Sequence, residues 1–295
     1  MPDPSKLLSR KLKPVFRYAV VDEVDQELLA RVLFLDGFFT ERQPEKQAWR
    51  TFRLFGCQPH GALADLLPRL TPATRHLANV EVRILNGLGQ PIGSYYVAAF
   101  EVNAARPSPL GPGLVDVRVS GVLLSQPHPR AEPIWDYFRE GGPRTRGEWA
   151  GYSPEGREAW LEVVRRHSFR REEIPGVASS VGAAYRNAAK SEPTVFELDG
   201  ERVQDPAGLF CALGEAVNGP GGYFGADLNS LRDCLRGGFG VQPPFDLRWK
   251  AAEVARARLA SAPEVLAASA FDVPYSPADD FVRVLREGRV RVLFE

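Results

Sequence analysis

The sequence predicts two domains of mixed class: an α+β domain with a mainly antiparallel sheet over residues 1–170, a linker over 171–193, and an α/β domain over 194–295 built on a three-stranded parallel sheet with helices. Three observations carry this reading. Apolar residues alternate at period two through much of 15–125, strand-like and helix-like patterns follow one another after 194, and the stretch between 170 and 193 loses both patterns. A chain of 295 residues also exceeds what one hydrophobic core usually organises.

In the N-terminal part the alternation places Phe16, Tyr18 and Val20 on one face of a strand, then Val80, Val82 and Ile84, then Val115, Val117 and Val119. Asn86-Gly87-Leu88-Gly89 separates the run 80–85 from the run 92–102, and Asp36-Gly37 closes the apolar run 28–35. Both are turn chemistry that tolerates positive φ, so hairpins follow. Leu63, Leu66, Leu67 and Leu70 recur at helical spacing, as do Ala159, Trp160, Val163 and Val164 behind a Ser153-Pro154 start. The aromatic group Trp135, Tyr137, Phe138, Trp149, Tyr152 and Trp160 reads as packing between sheet and helices rather than a ligand cleft.

After the stretch RREEIPGVASSVGAAYRNAAKSEP, Thr194 to Leu198 reads as a strand and Leu209, Phe210, Leu213 and Val217 as one side of a helix. Phe245, Leu247 and Trp249 then alternate, 250–261 and 277–287 have helical spacing, and Val290, Val292 and Phe294 close the chain as a strand. Strands separated by helices imply right-handed crossovers and hence a parallel sheet. The boundary composition implies that 194–295 folds alone.

Composition excludes several classes. With 44% apolar and 25% charged residues the chain can build cores, so disorder is excluded over most of it. No run approaches the roughly 18 apolar residues of a membrane span, and the start MPDPSKLLSRKLKP lacks the apolar segment of a signal peptide, so a cytoplasmic location is expected. Cys57, Cys211 and Cys234 are odd in number and widely spaced, which argues for reduced thiols. Cys57-Gln58-Pro59-His60 has half a zinc-site spacing without a second half, and His76, His128 and His167 stand apart from any recognisable catalytic arrangement. No metal, no cofactor and no catalytic residues are expected. The net charge of zero hides an asymmetry: 195–295 hold 15 acidic and 11 basic side chains, the rest 22 and 26. A negative C-terminal part disfavours direct nucleic-acid binding.

The stretch from Gly219 to Gly237 is the most informative. Leu228, Leu231 and Leu235 sit at i, i+3 and i+7 with Cys234 beside them, so a helix over about 227–236 packs inward on that face. Asn229 and Asp233 lie one turn apart on the opposite face, flanked by Arg232 and Arg236. The preceding glycine loop fails the spacing of a phosphate cradle, and it carries Tyr223 and Phe224, expected to be exposed.

The string YFGADLNSLRDCL resembles the segment of barstar-like ribonuclease inhibitors in which a loop aromatic pair, a glycine and an amphipathic helix form the inhibitory surface. FELDGERVQDPAGLFCALGEAV is similar to that family's first strand, turn and first helix, PFDLRW to its middle strand, and FVRVLREGRVRVLFE to its last helix and strand. The matches keep the family's order across about one hundred residues. The resemblance implies a protein, not an enzyme, that plugs the cationic active site of a small basic ribonuclease with carboxylates in place of substrate phosphates, in a bacterial toxin-immunity setting. By the same resemblance Asp233 matches the central carboxylate, Tyr223 the loop aromatic that packs on the nuclease, and Glu287 an acid on the last helix. Phe224, Gly225, Asp227, Asn229 and Arg232 complete the expected partner surface. Asn229 stands where the family prototype has a second aspartate, Arg232 replaces an aromatic residue and Ala226 an acidic one. The competing reading is an assembly module of the same fold attached to an N-terminal sensor or unrecognised enzyme, able to bury the Asp233 face against residues 1–170; separately, Asp233 can be read as a solvated helix charge and Tyr223 and Phe224 as packing. Residues 1–170 resemble no family.

Overall fold

The computed structural model describes residues 15–41, 49–72, 75–171, 194–262 and 276–295, so the expected linker falls, apart from Arg171, outside the described residues. The chain divides into two compact units, Met1–Pro127 and His128–Glu295.

The N-terminal unit holds β1 (Tyr18–Asp22), β2 (Leu28–Val32), β3 (Phe34–Asp36), β4 (Trp49–Pro59), β5 (Val80–Leu85), β6 (Pro91–Pro107) and β7 (Val115–Val122), all paired antiparallel. The order is β2-β1-β5-β6-β7-β4-β3, and a further pairing of Ala30 with Pro59 and Arg31 with Gln58 joins β2 to β4. Six strands therefore close into a barrel, with β3 as an appendage, and closure leaves those six without a free edge. The alternation seen in the sequence becomes inside and outside: Tyr18, Val20, Val82, Ile84, Tyr95, Phe52 and Val119 are all buried. The expected hairpin at 86–89 is present, with the Asn86 side chain accepting from the N–H groups of Leu88 and Gln90 and Gly89 at φ +77°. Helix α1 (Gly61–Leu66) runs on into a short 3₁₀ turn at Leu67–Arg69, where the leucine spacing placed it.

The second unit begins with helices α2 (Ala131–Arg139) and α3 (Pro154–Arg171), joined through a 3₁₀ turn at Glu148–Gly151. Then come β8 (Val195–Asp199), α4 (Pro206–Asn218), α5 (Leu228–Leu235), β9 (Phe245–Lys250), α6 (Ala252–Ala260), α7 (Pro277–Glu287) and β10 (Val290–Phe294). The strands pair parallel in the order β10-β9-β8, as expected. One face of this sheet, with Leu198, Phe245, Leu247, Trp249, Val290 and Val292, is buried under helices, and Phe281 of α7 stands edge-on to Trp249 at 5.7 Å. The other face carries ion pairs between strands: Glu197 with Arg248 and Lys250, and Asp246 with Arg291.

Residues 128–170 group with this unit and not with the strands of the N-terminal part to which the sequence reading assigned them. The reason is visible in α4, whose residues Gly208 to Ala216 are all buried. One side of the helix meets the sheet and the other meets α3. Trp135, Phe138, Trp149 and Trp160 are therefore core residues of helix-on-helix packing, not of packing on a sheet. Arg157 of α3 pairs with Asp205, both side chains being almost fully buried, and Nε–H of Arg157 donates to Asp205 Oδ2 at 2.8 Å. Asp205 is also the N-cap of α4, its Oδ1 accepting from the N–H of Gly208 at 2.7 Å.

Two outcomes follow from this packing. A fragment 128–295 unfolds in one cooperative transition, whereas 194–295, stripped of its cover over α4, has a far lower denaturant midpoint or is molten; equal midpoints in urea titrations would refute the dependence. Arg157→Met leaves Asp205 buried without its cation and costs about 3 kcal/mol or more of unfolding free energy, read by chemical denaturation.

Candidate partner-binding surface

Helix α5 is short, and its start is fixed by local chemistry. Asp227 is the N-cap: its side chain accepts from the N–H of Ser230 at 2.7 Å, while Ser230 Oγ accepts from the N–H of Asp227 at 3.0 Å. Leu231, Cys234 and Leu235 form the buried face, as their spacing predicted. Asn229, Asp233 and Arg236 are exposed, and Arg232 is half-buried. The C-terminal end of α5 lies against the end of α7, where a Cβ on Gly288 would stand 2.7 Å from Leu235. The ends of the two helices are therefore neighbours, and Glu287 near the end of α7 is exposed, as is Asp233 on α5.

The loop that leads into α5 packs tightly on α4. A Cβ at Gly214 would meet the carbonyl oxygen of Gly222 at 2.3 Å, and one at Gly225, where φ is +100°, would meet the backbone of Leu231 at 3.0 Å. The Asn218 side-chain amide ties the loop down by donating to the carbonyls of Tyr223 at 2.7 Å and Phe239 at 3.0 Å. This close approach turns both loop aromatics inward. Phe224 is fully buried, its ring 6.3 Å from that of Phe245, and Tyr223 is 4% exposed, its ring 6.1 Å from Phe239. The expectation of two exposed aromatics is corrected accordingly: a loop with glycines where it meets α4 has no thickness of its own, so its large side chains fill the space beneath it. Burial pushes the Tyr223 hydroxyl up to about 12, and Gly225 is buried as well.

The charged groups on the exposed face already have partners within the chain. Asp233 accepts from Arg236 at 2.7 Å with both side chains well exposed, Asn229 accepts from Arg232 at 3.2 Å, and Glu287 accepts from Arg283 at 3.3 Å. Arg283 also reaches Asp280 at 2.6 Å.

Behind the loop sits a residue that the sequence reading passed over. Glu215, 3% exposed, accepts at Oε2 from the N–H of Gly147 at 2.7 Å and from Nε1–H of Trp149 at 2.9 Å, and at Oε1 from the N–H of Gly221 at 3.4 Å. Pro143 closes on the same loop, since a Cβ at Gly221 would lie 2.4 Å from it. One buried carboxylate therefore joins the 143–149 segment to the glycine loop. The available signal was a lone glutamate inside the otherwise apolar run GLFCALGEAV.

Cys57, Cys211 and Cys234 are free and buried, and burial raises all three thiols, Cys57 and Cys234 to about 12. They stay protonated and unreactive at neutral pH. Among the described residues no group of three or more His, Cys, Asp or Glu is assembled that could hold a metal, and no helix is long and apolar enough to cross a membrane.

Fold and surface together define a small α/β module, with one sheet face under helices and a charged, rigidly capped helix presented to solvent. Residues 194–274 match the family model of barstar, the barnase inhibitor, so the C-terminal part of the chain carries a barstar-family segment. The match does not extend to the N-terminal unit, and no curated protein matches the chain.

Burial raises the Glu215 carboxyl above its ordinary value, against the three donors that favour its ionised form. A carboxyl with a raised folded value contributes most below its unfolded value, and that contribution is lost as pH rises through the folded one. Glu215→Gln removes the titration, so the stability of the variant minus that of the wild type grows from about pH 4 towards neutrality. Denaturant titrations at a series of pH values, followed by tryptophan fluorescence, read this difference; a flat difference would contradict it.

Proposed function

We propose that the chain is a ribonuclease inhibitor, acting in the cytoplasm of the cell that makes it. Its α5 face, centred on Asp233 and bordered by Glu287, enters the phosphate-binding cleft of a small ribonuclease. The observation that supports this best is a coincidence: the barstar-family segment presents an exposed carboxylate on a capped helix held firmly against the core. A carboxylate in a cleft built for phosphate makes short, charge-assisted bonds to Arg and Lys. Little chain entropy is lost on binding, because the capping box, the Asn218 tie and the Gly225 packing fix the helix beforehand. In this reading Tyr223 and Phe224 hold the loop from beneath and do not touch the nuclease. The chain acts by occupying a site and not by chemistry, in keeping with thiols that are buried and protonated.

Titrating the full chain against a panel of small secreted bacterial ribonucleases while RNA cleavage is followed stops at least one near equimolar ratio. Asp233→Ala weakens that inhibition by about 2 kcal/mol or more, because it strands cations of the nuclease in a desolvated interface. A panel left fully active, with Asp233→Ala changing no association, would remove the inhibitor reading and leave the assembly module in its place.

A further inference from the structure

The α5 face is not simply acidic. Asp233 and Glu287, the two carboxylates expected to meet a partner's cations, each have an arginine of the same chain beside them, Arg236 and Arg283, and Arg232 bonds the amide oxygen of Asn229. An incoming cation therefore meets Asp233 only by displacing Arg236 or by approaching it, and approach of like charges is unfavourable. The constraint is local to the sequence, since each arginine lies within four residues of the group it bonds. Their forked donors also need acceptors once the face is covered, and a partner that left them without carboxylates would bury unpaired guanidinium groups.

We infer that the α5 face fits a partner surface of alternating sign, which offers a cation to Asp233 and carboxylates to Arg232 and Arg236. This rests on the inhibitor reading and narrows it: the ribonuclease it fits has phosphate-binding cations ringed by acids, and the two arginines select against nucleases whose whole docking face is basic. Position supports the division of roles. Asp233 and Arg236 lie one turn apart on the helix with their charged groups in contact at 2.7 Å, so the partner's cation and the carboxylate that answers Arg236 must be close neighbours.

The test uses the full chain and, as probe, a small ribonuclease of the barnase type chosen for a uniformly basic active-site face. The variants are Arg232→Gln/Arg236→Gln and a control of equal charge change on the barrel, Arg31→Gln/Arg118→Gln, at exposed positions. Inhibition constants are measured at several ionic strengths. Removing the helix arginines tightens inhibition of this probe at least tenfold at low salt and steepens its salt dependence, while the control changes it less than threefold. Equal tightening by the control would mean that net charge alone acts, and the inference fails. Weaker or unchanged inhibition after removing the helix arginines also overturns it, since the arginines would then be direct contacts of a basic partner or bystanders. That result leaves the inhibitor reading intact, because that reading is lost only when the wider panel shows no inhibition at all.

Discussion

The second unit depends on how two buried carboxylates of one helix are satisfied. Helix α4 is covered on all sides, a state open to a helix only when neighbours surround it. Asp205 at its start and Glu215 near its end would be prohibitive in that setting without partners. Both find partners in residues 128–171: Arg157 for Asp205, and Gly147 with Trp149 for Glu215. The barstar-family segment is therefore only part of the folding unit, and the segment before it closes the core. Because Glu215 also accepts from Gly221, the same contact steadies the loop from which α5 starts.

Much of this could be read in the residues, and what could not has identifiable causes. Period-two alternation located β1, β5 and β7 but singled out nothing at β4, and strand–helix alternation after Thr194 predicted the parallel sheet, because such patterns are local. Closure of the barrel rests on two residue pairs, Ala30 with Pro59 and Arg31 with Gln58, and nothing local marks a pairing across such a separation. The aromatic residues Trp135, Phe138 and Trp160 mark a buried face but not what buries it, so the local pattern does not show that 128–170 belongs with the second unit. In the site, the leucine spacing of α5 identified its exposed face correctly. Tyr223 and Phe224 lie in a glycine-rich loop, where no periodicity tells inside from outside, and such a loop reads as exposed.

The three-stranded sheet shows how charge can replace a second layer of helices. Parallel sheets are usually covered on both faces. Here the outer face is left to water, and its polar side chains are matched in register: Glu197 lies opposite Arg248, and Arg291 opposite the buried Asp246. Individually the exposed pairs of Glu197 contribute little, about 0–1 kcal/mol. Collectively they make a face on which apolar association is unfavourable, with Val195 and Leu293 as isolated exceptions.

The same weakness of exposed ion pairs gives the α5 face its character. The Asp233–Arg236 contact adds almost nothing to stability, so it can be exchanged for a contact with a partner at little cost. Its effect lies elsewhere: while the pair is open to solvent, Asp233 is partly screened by the Arg236 guanidinium, and a partner that covers this face must deal with both charges together. An acidic helix would attract every basic protein in proportion to its charge. A helix with carboxylate and guanidinium one turn apart rewards only partners that repeat the pattern in reverse, and unpaired charges penalise the others. In the proposed reading the departures from an all-acidic surface, Asn229 and Arg232 among them, act on the choice of partner, while the capping box beneath them fixes where the helix starts.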